Sequence, residues 1–319
     1  MAHAPIVSGL PSRVRIVEVG PRDGLQNEAV HVPTEAKVRL IELLADAGLE
    51  TVEATSFVSP RAVPQLADAE QVVRAVRRRP GVRYPVLVPN QRGLERALAS
   101  GAREIAVFTA ATDAFALRNV NATVAESLQR LQPVVAEARR LGLWTRGYVS
   151  VAFGCPFAGS VEPAWVVRVA ASLVEMGVDE VALADTIGTA TPRQVEEALT
   201  AVLRAVPVEM VALHFHDTRG AALANVLLGL QYGVSTYDSA VGGLGGCPFA
   251  PGATGNVATE DLLVFLDGMR IATGVDLSRL VRATEHIASY LGHPVESRCY
   301  RASQSATKRR QGDRAAGPE

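Results

Sequence analysis

The stretch "RVRIVEVGPRDGLQNE", residues 13–28, decides between two ways of building an α/β protein. Its first half is a run rich in β-branched residues, which is typical of a buried strand. An open doubly wound sheet usually follows its first strand with a glycine-rich phosphate turn of the form GxGxxG. Here the strand runs into "VGPRDGLQNE", which contains no such turn, so the sequence favours a closed barrel over an open sheet.

Outward from this strand, short apolar runs alternate with longer amphipathic stretches. The candidate strands are mostly apolar without strict alternation, as expected when both faces of a sheet are covered. They lie at 13–20, 51–57, 83–89, 104–110, 145–153, 180–186, 209–217 and 235–242. Helical patterns between them include 34–48, 124–142 and 191–206. This repeated alternation predicts an α/β fold of the (β/α)8 TIM-barrel type.

Residues at the ends of the helical patterns support this order of elements. Thr34 and Thr191 are placed where a helix needs an N-cap. A helix often ends at a residue that tolerates positive φ, and four glycines occupy such places. They are Gly48, Gly142, Gly177 and Gly233.

The chain is expected to form one barrel domain over residues 1–295, followed by a tail. From 296 to 319 the sequence becomes polar and basic and loses its periodicity. We expect this tail to be disordered, because it offers little apolar surface to bury.

Composition excludes several classes of protein. The chain has 319 residues, of which 48% are hydrophobic and 20% charged, and its net charge of −1 favours neither a nucleic-acid partner nor a membrane surface. The N-terminal residues lack the pattern of a signal or transit peptide. The three cysteines are widely spaced with no CxxC pair, so we expect a reduced, cytoplasmic protein without disulfides or a zinc knuckle.

Polar residues inside the apolar strands gather towards the strands' carboxyl ends, where barrel enzymes place their chemistry. They are Arg22, Asp23, Glu53, Arg146, Tyr148, Asp185, His214, His216 and Asp217, with Cys247 and Asn256 following the last strand. Because these ends meet at one mouth, the sequence predicts a site there.

The motif "HFHDT" at 214–218 indicates a metal in this site. Residues two apart on a strand point to the same side, so His214 and His216 present both imidazoles to one space. Asp23, in the sharp "RDG" turn, is the best oxygen ligand, and Asn256 adds an amide oxygen. Nitrogen and oxygen donors without thiolate suit Mg²⁺ or Mn²⁺ better than a structural zinc.

Each of these residues also has a purely structural interpretation. A strand histidine is often a hydrogen-bonded core residue. Arg22 can brace the mouth by pairing with Glu53 or Asp23, and Asp185 can cap the loop "DTIGTATP". Cys247 can be a small apolar filler, as Cys155 and Cys299 are expected to be.

The glycine-rich segment "GGLGGCPFAPGATGN" at 242–256 cannot be a helix or a central strand, because it holds too many glycines and prolines. We interpret it as a lid over the mouth with Cys247 near its centre. A phosphate-binding turn is the alternative.

Taken together, these motifs resemble the 3-hydroxy-3-methylglutaryl-CoA (HMG-CoA) lyase family of the DRE-TIM metallolyase superfamily. The matching stretches are "VEVGPRDGLQNE" (17–28), "EATSFVSPRAVPQLAD" (53–68), "VLVPN" (86–90), "ADTIG" (184–188), "HFHDT" (214–218) and "GGLGGCPFAPGATGNVATED" (242–261). The resemblance covers about residues 13–293. The RDG and HxH motifs are shared with isopropylmalate and homocitrate synthases, whereas the cysteine lid is specific to the lyases.

The resemblance implies a retro-Claisen cleavage of HMG-CoA to acetyl-CoA and acetoacetate, as in leucine degradation, on a pyruvate carboxyltransferase-like domain. It implies a divalent cation, Mg²⁺ or Mn²⁺, held by Asp23, His214, His216 and Asn256. It also implies that Arg22 stabilises the enolate and that Asp185 and His214 handle the hydroxyl proton. Cys247 would be a general acid–base group, and Glu53 would support the metal site and Arg22. Asn119 and Arg146 resemble positions close to the CoA. By analogy we expect a homo-oligomer, a dimer or larger.

Departures from the family pattern leave the substrate and the reaction open. Position 29 is Ala where the family is expected to carry a lysine for the CoA phosphates, and positions 182 and 184 are Ala within "ALAD" where "SLGD" is commoner. A small side chain at 182 allows a 3-hydroxy-3-alkylglutaryl-CoA with a longer C3 substituent. An acyl-CoA-dependent synthase acting on a 2-oxo acid and a barrel without catalytic activity also stay open.

Overall fold

A computed structural model of the chain describes residues 9–246 and 255–305, and in this part the strands form one parallel sheet. The strands are β1 (Arg15–Glu18), β2 (Thr51–Val52), β3 (Thr55–Ser56), β4 (Val86–Leu87), β5 (Glu104–Ala110), β6 (Trp144–Ser150), β7 (Glu180–Asp185), β8 (Val211–Phe215) and β9 (Thr236–Ser239). Their order in the sheet is β2-β1-β9-β8-β7-β6-β5-β4-β3.

The sheet closes on itself through the segment that carries both edge strands, β2 and β3. Only Glu53 and Ala54 separate these two strands along the chain. The N–H of Glu53 donates to the carbonyl of Glu18 at 2.8 Å, and the N–H of Ala54 donates to Pro85 at 2.9 Å on the opposite neighbour. The predicted strand 51–57 therefore bridges both ends of the sheet, and the (β/α)8 TIM-barrel prediction is confirmed.

Helices cover the outside of the barrel. They are α1 (Thr34–Asp46), α2 (Ala69–Ala75), α3 (Gln91–Ala99), α4 (Asp113–Val120), α5 (Val124–Arg140), α6 (Pro163–Met176), α7 (Pro192–Val202), α8 (Ala222–Gln231), α9 (Thr259–Gly268) and α10 (Leu277–Leu291). The strands lie between these helices and the filled interior, and they are therefore buried on both faces. This explains why their sequences are apolar without alternating with polar residues. Among residues 9–246 and 255–305, none of the helices is long and apolar enough to cross a membrane.

The predictions about helix ends are confirmed in all cases but one. Gly48, Gly142, Gly177 and Gly233 all have positive φ. Thr191 caps α7 in a capping box with Gln194. Thr34 does not cap α1: Pro33 holds that position, and the Thr34 hydroxyl donates instead to Asp68 at 2.8 Å.

The beginning of the expected disordered tail is ordered in the structure. Ser297 is fully buried, and residues 298–305 are helical. The physical reason is Asp261, whose carboxylate accepts hydrogen bonds from the Ser297 hydroxyl at 2.8 Å and from the N–H groups of Arg298 and Cys299 at 3.0 and 2.8 Å. Disorder was therefore a wrong expectation for 296–305, and residues 306–319 lie outside the described part.

Candidate metal centre and active site

Asp23, His214 and His216 meet at the mouth of the barrel. Each offers one ligand atom, and these atoms all lie within 4.8 Å of one another. The Nε2 atom of His216 is 3.5 Å from Asp23 Oδ2, and that of His214 is 3.9 Å away. Both imidazoles face the same space because the residues lie two apart at the end of β8.

Asn256 completes this group. Its amide nitrogen donates to Asp23 Oδ2 at 2.9 Å and to the carbonyl of Leu244 at 3.0 Å. Its amide oxygen is buried and has no hydrogen-bond partner among the described residues. A buried orphan acceptor costs free energy unless something binds it, so it fits a cation ligand. One carboxylate, two imidazoles and one amide oxygen form a donor set suited to a divalent ion.

The turn that carries Asp23 is anchored by a buried carboxylate, Glu18. This turn, Gly20–Gly24, follows β1 directly. Glu18 Oε1 accepts the N–H of Gly20 at 2.8 Å and the N–H of Val241 at 2.9 Å. It thereby joins the turn to the start of the glycine-rich segment. Burial raises the pKa of Glu18 to about 7. Sequence reasoning missed this residue, although an acidic residue inside an apolar strand was a usable signal.

Arg22 is buried between two carboxylates. Its Nε and Nη2 atoms lie 2.9 and 2.7 Å from Glu53 Oε2, and its Nη1 atom lies 2.7 Å from Asp23 Oδ1. Burial opposes the charge, but Glu53 and Asp23 outweigh it and hold the pKa of Arg22 above its ordinary value. Burial likewise opposes ionisation of Asp23, yet Arg22 and the histidines hold its pKa below the usual range. The site therefore contains a fixed guanidinium beside an ionised ligand.

Asp185 makes the loop contacts expected from its structural interpretation. Its two carboxylate oxygens accept the N–H groups of Thr189 and Ala190 at 3.1 and 2.9 Å. Burial raises its pKa above the ordinary value, more than these hydrogen bonds lower it. Because a carboxylate oxygen has two lone pairs, these contacts leave room for a role in proton transfer.

Arg146 is placed differently from the prediction. Its side chain is fully buried inside the barrel. Its Nη2 atom lies 2.6 Å from Asp238 Oδ1 and its Nε atom 2.8 Å from Glu180 Oε1. The guanidinium is enclosed between these two acids, so the structure offers no support for the prediction that Arg146 lies close to CoA. Asn119 is exposed on α4, which follows the carboxyl end of β5, and its role stays a prediction.

The predicted lid is described only at its two flanks. Val241–Gly243 forms a short 3₁₀ turn in which Gly242 and Gly243 have positive φ. Asn256 returns to the site through an isolated bridge with His216. Cys247 lies outside the described residues, so its role as an acid–base group stays a prediction.

Comparison with known proteins now places the chain. A family model described as HMGL-like matches residues 13–287. The chain belongs to the HMGL-like family. It is 52% identical over 294 residues to the mitochondrial hydroxymethylglutaryl-CoA lyase of Rattus norvegicus, covering 92% of this chain and 90% of the relative.

Two further similarities agree with this family. The chain is 51% identical over 304 residues to the cytoplasmic 3-hydroxy-3-methylglutaryl-CoA lyase of Mus musculus, covering 95% of this chain and 89% of the relative. The crystal structure of hydroxymethylglutaryl-CoA lyase from Pseudomonas aeruginosa superposes with a TM-score of 0.91 at 49% identity, covering 93% of this chain and 99% of that one. The resemblance drawn from the sequence motifs is confirmed.

Proposed function

We propose that this HMGL-like protein is a metal-dependent carbon–carbon lyase that cleaves HMG-CoA to acetyl-CoA and acetoacetate. The observation that carries the proposal is the mouth itself. Asp23, His214 and His216 converge there beside a guanidinium held by two carboxylates. Relatives that match over nine-tenths of the chain are named as lyases of this substrate.

The residues that would hold the cation are Asp23, His214, His216 and Asn256. Mg²⁺ or Mn²⁺ held there supplies positive charge that favours ionisation of the substrate's tertiary hydroxyl group. The paired carboxylate of Asp23 stays ionised, because Arg22 and the histidines hold its pKa low against the opposing effect of burial.

Arg22 acts on the departing fragment. When the C2–C3 bond breaks, its electron pair passes into a thioester enolate, and negative charge grows on the thioester oxygen. A guanidinium already oriented by Glu53 and Asp23 stabilises that charge without having to reorganise. In this proposal Glu53 is a positioning residue.

Two proton transfers remain, one from the hydroxyl group and one to the enolate carbon. Asp185 accepts the hydroxyl proton, and the raised pKa of this buried carboxyl makes it a better base than an ordinary aspartate. His214 takes part as a ligand of the cation rather than as the base. Cys247 delivers the proton that converts the enolate to acetyl-CoA. Closure of the glycine-rich segment would keep bulk water from that step.

Ala182 bears on the possibility of a longer C3 substituent. Its side chain is fully buried in the barrel interior, in a cluster with Leu87, Ala106, Tyr148 and Ala212. The volume that a small residue leaves at 182 is therefore enclosed by packed side chains, and this packing does not favour a larger substrate. We keep the methyl-bearing substrate as the proposal.

The test is release of acetyl-CoA from a panel of 3-hydroxy-3-alkylglutaryl-CoA thioesters, with and without EDTA. We expect rapid, EDTA-sensitive release from the methyl member. No release from any member would remove the lyase proposal, whereas release only from long-chain members would move the specificity. Consumption of acetyl-CoA with a 2-oxo acid, accompanied by free thiol, would support a synthase.

We further propose the finer properties that follow from this assignment. They are a role in leucine degradation, a cytoplasmic location suggested by the isolated cysteines, and a homo-oligomeric state. The names of the relatives above include both a mitochondrial and a cytoplasmic form, so fractionation of the cell is the relevant measurement for location.

A further inference from the structure

A buried carboxylate that the proposed mechanism does not use, Asp238, lies directly behind a metal ligand. It belongs to β9, beside β8 in the sheet, in register with His214. Its Oδ2 atom is 3.0 Å from Nδ1 of His214, on the side of the ring opposite to the Nε2 atom that faces Asp23. Asp238 is almost completely buried, so the imidazole is its neighbour in place of water.

Arg146 holds Asp238 in that direction. Its Nη2 atom donates to Oδ1 of Asp238 at 2.6 Å, which leaves Oδ2 for the imidazole. Arg146 itself is fixed by the ion pair with Glu180 and by a hydrogen bond of 3.0 Å to the Tyr148 hydroxyl. The guanidinium of Arg146, which was expected to lie close to CoA, thus has a defined partner on each side inside the barrel.

Buried contacts lead on from Arg146 across the barrel interior to Asp23. The Tyr148 hydroxyl donates to Glu53 Oε2 at 3.1 Å, and Glu53 holds Arg22, which pairs with Asp23. Asp23, which follows β1, and His214 on β8 are separated in the sheet by β9 alone, and buried side chains connect them beneath the mouth.

An ionised carboxylate only accepts hydrogen bonds, so the ring nitrogen that faces it must carry the proton. For neutral His214 this leaves the lone pair on Nε2, the atom turned towards Asp23. His216 offers a contrast, because its Nδ1 atom is buried with no hydrogen-bond partner among the described residues. Of the two histidines, only His214 has its tautomer set by a side chain in the described structure.

We propose that Asp238 is a positioning residue that fixes His214 as the Nδ1–H tautomer, with Nε2 free to bind a cation, and that Arg146 keeps Asp238 aimed at it. The inference rests on the metal centre of the proposed function. Metal-binding histidines generally donate their other ring N–H to such a partner, and losing that partner weakens metal binding.

The isosteric substitution Asp238→Asn tests this sharply. Arg146 has only donors, so it forces the amide oxygen of the new side chain to face it. The NH₂ group then faces Nδ1 of His214, which must become the acceptor. The ring proton moves to Nε2 and blocks the position that the cation needs. The substitution therefore inverts the tautomer while hardly changing the shape.

The experiment measures the affinity of the metal-stripped full-length protein for Mn²⁺ by electron paramagnetic resonance, in the absence of substrate. We expect Asp238→Asn to weaken binding roughly 10- to 100-fold. The matched control is Asp68→Asn, which also removes a buried charge paired with a cation, Lys37 at 2.7 Å, but lies outside the site. Its Mn²⁺ affinity should stay unchanged. Wild-type affinity in folded Asp238→Asn would overturn the inference.

A second measurement needs no folded variant at position 238. Long-range ¹H–¹⁵N spectra of the histidine rings distinguish the two tautomers in the wild-type, metal-free protein, with His214 assigned from the signals missing in His214→Gln. We expect the proton on Nδ1. A proton on Nε2 would overturn the inference alone, whereas wild-type protein that binds no Mn²⁺ would overturn the proposed function.

Discussion

Substitution of Arg22 by methionine removes the charge that the proposed mechanism places at the enolate while keeping much of the side-chain volume. The structure shows what else is lost. Glu53 and Asp23 both pair with this guanidinium within 3 Å, and Glu53 is almost fully buried. The variant therefore has two effects: it removes the stabilisation of the enolate, and it leaves buried carboxylates without their partner.

The two magnitudes follow from the burial of the site. Removing a main electrostatic stabiliser of a developing oxyanion costs roughly 3–4 kcal/mol of barrier, which is about a 200- to 1000-fold loss of turnover. Removing one partner of a buried ion pair leaves its carboxylates uncompensated, at roughly 3–5 kcal/mol of unfolding free energy. Both losses should appear together, because the same guanidinium serves both.

The assay is the kcat for acetyl-CoA release, measured with saturating Mg²⁺ at a temperature where denaturation curves show the variant folded. The matched control is Arg78→Met, which breaks a part-buried ion pair with Glu104 at the first residue of β5, the opposite end of the barrel. The control should lose stability without losing kcat. Turnover of Arg22→Met within about tenfold of wild type would refute the role of Arg22.

Three further predictions concern stability and substrate affinity. Because burial raises the pKa of Glu18 from 4.5 to about 7, the folded chain retains a proton that the unfolded chain releases. Stability should therefore fall as pH rises through that range, and Glu18→Gln should make the fall measured by urea denaturation shallower, with Asp185 and other buried carboxyls causing the remainder. An unchanged slope would contradict it. Thr191→Ala should lower the unfolding free energy by about 1 kcal/mol through loss of the α7 cap, with kcat unchanged; unchanged denaturation would contradict it. Ala29→Lys should lower the KM for the acyl-CoA by roughly two- to fivefold at low salt, since residue 29 is exposed and the family resemblance implies a lysine for the CoA phosphates at this position. An unchanged KM at low salt would contradict it.

Local patterns in the sequence were enough to predict the barrel and the residues at its mouth. The alternation of apolar runs and amphipathic stretches has a strong period, and positive-φ positions such as Gly48 and Gly177 are marked by residue type. His214 and His216 are brought together with Asp23 because the carboxyl ends of parallel strands must meet, which follows from the fold alone.

Contacts across the barrel interior could not be predicted in the same way. The partners of Arg146 depend on which residues of other strands stand at the same height, and Asp238 is 92 residues away along the chain. Asp238 was missed from the sequence, because nothing local identified His214 as its neighbour. The ordering of 296–305 has the same cause, since Asp261 reaches that segment only after the chain has folded.

The measurement that tests the central claim most directly is cleavage of HMG-CoA by protein stripped of metal, before and after stoichiometric addition of Mg²⁺ or Mn²⁺. Loss of the cation's charge should cost several kcal/mol, so turnover should fall roughly a thousandfold and return on addition. Stripped protein that still splits the thioester at its usual rate would contradict the account.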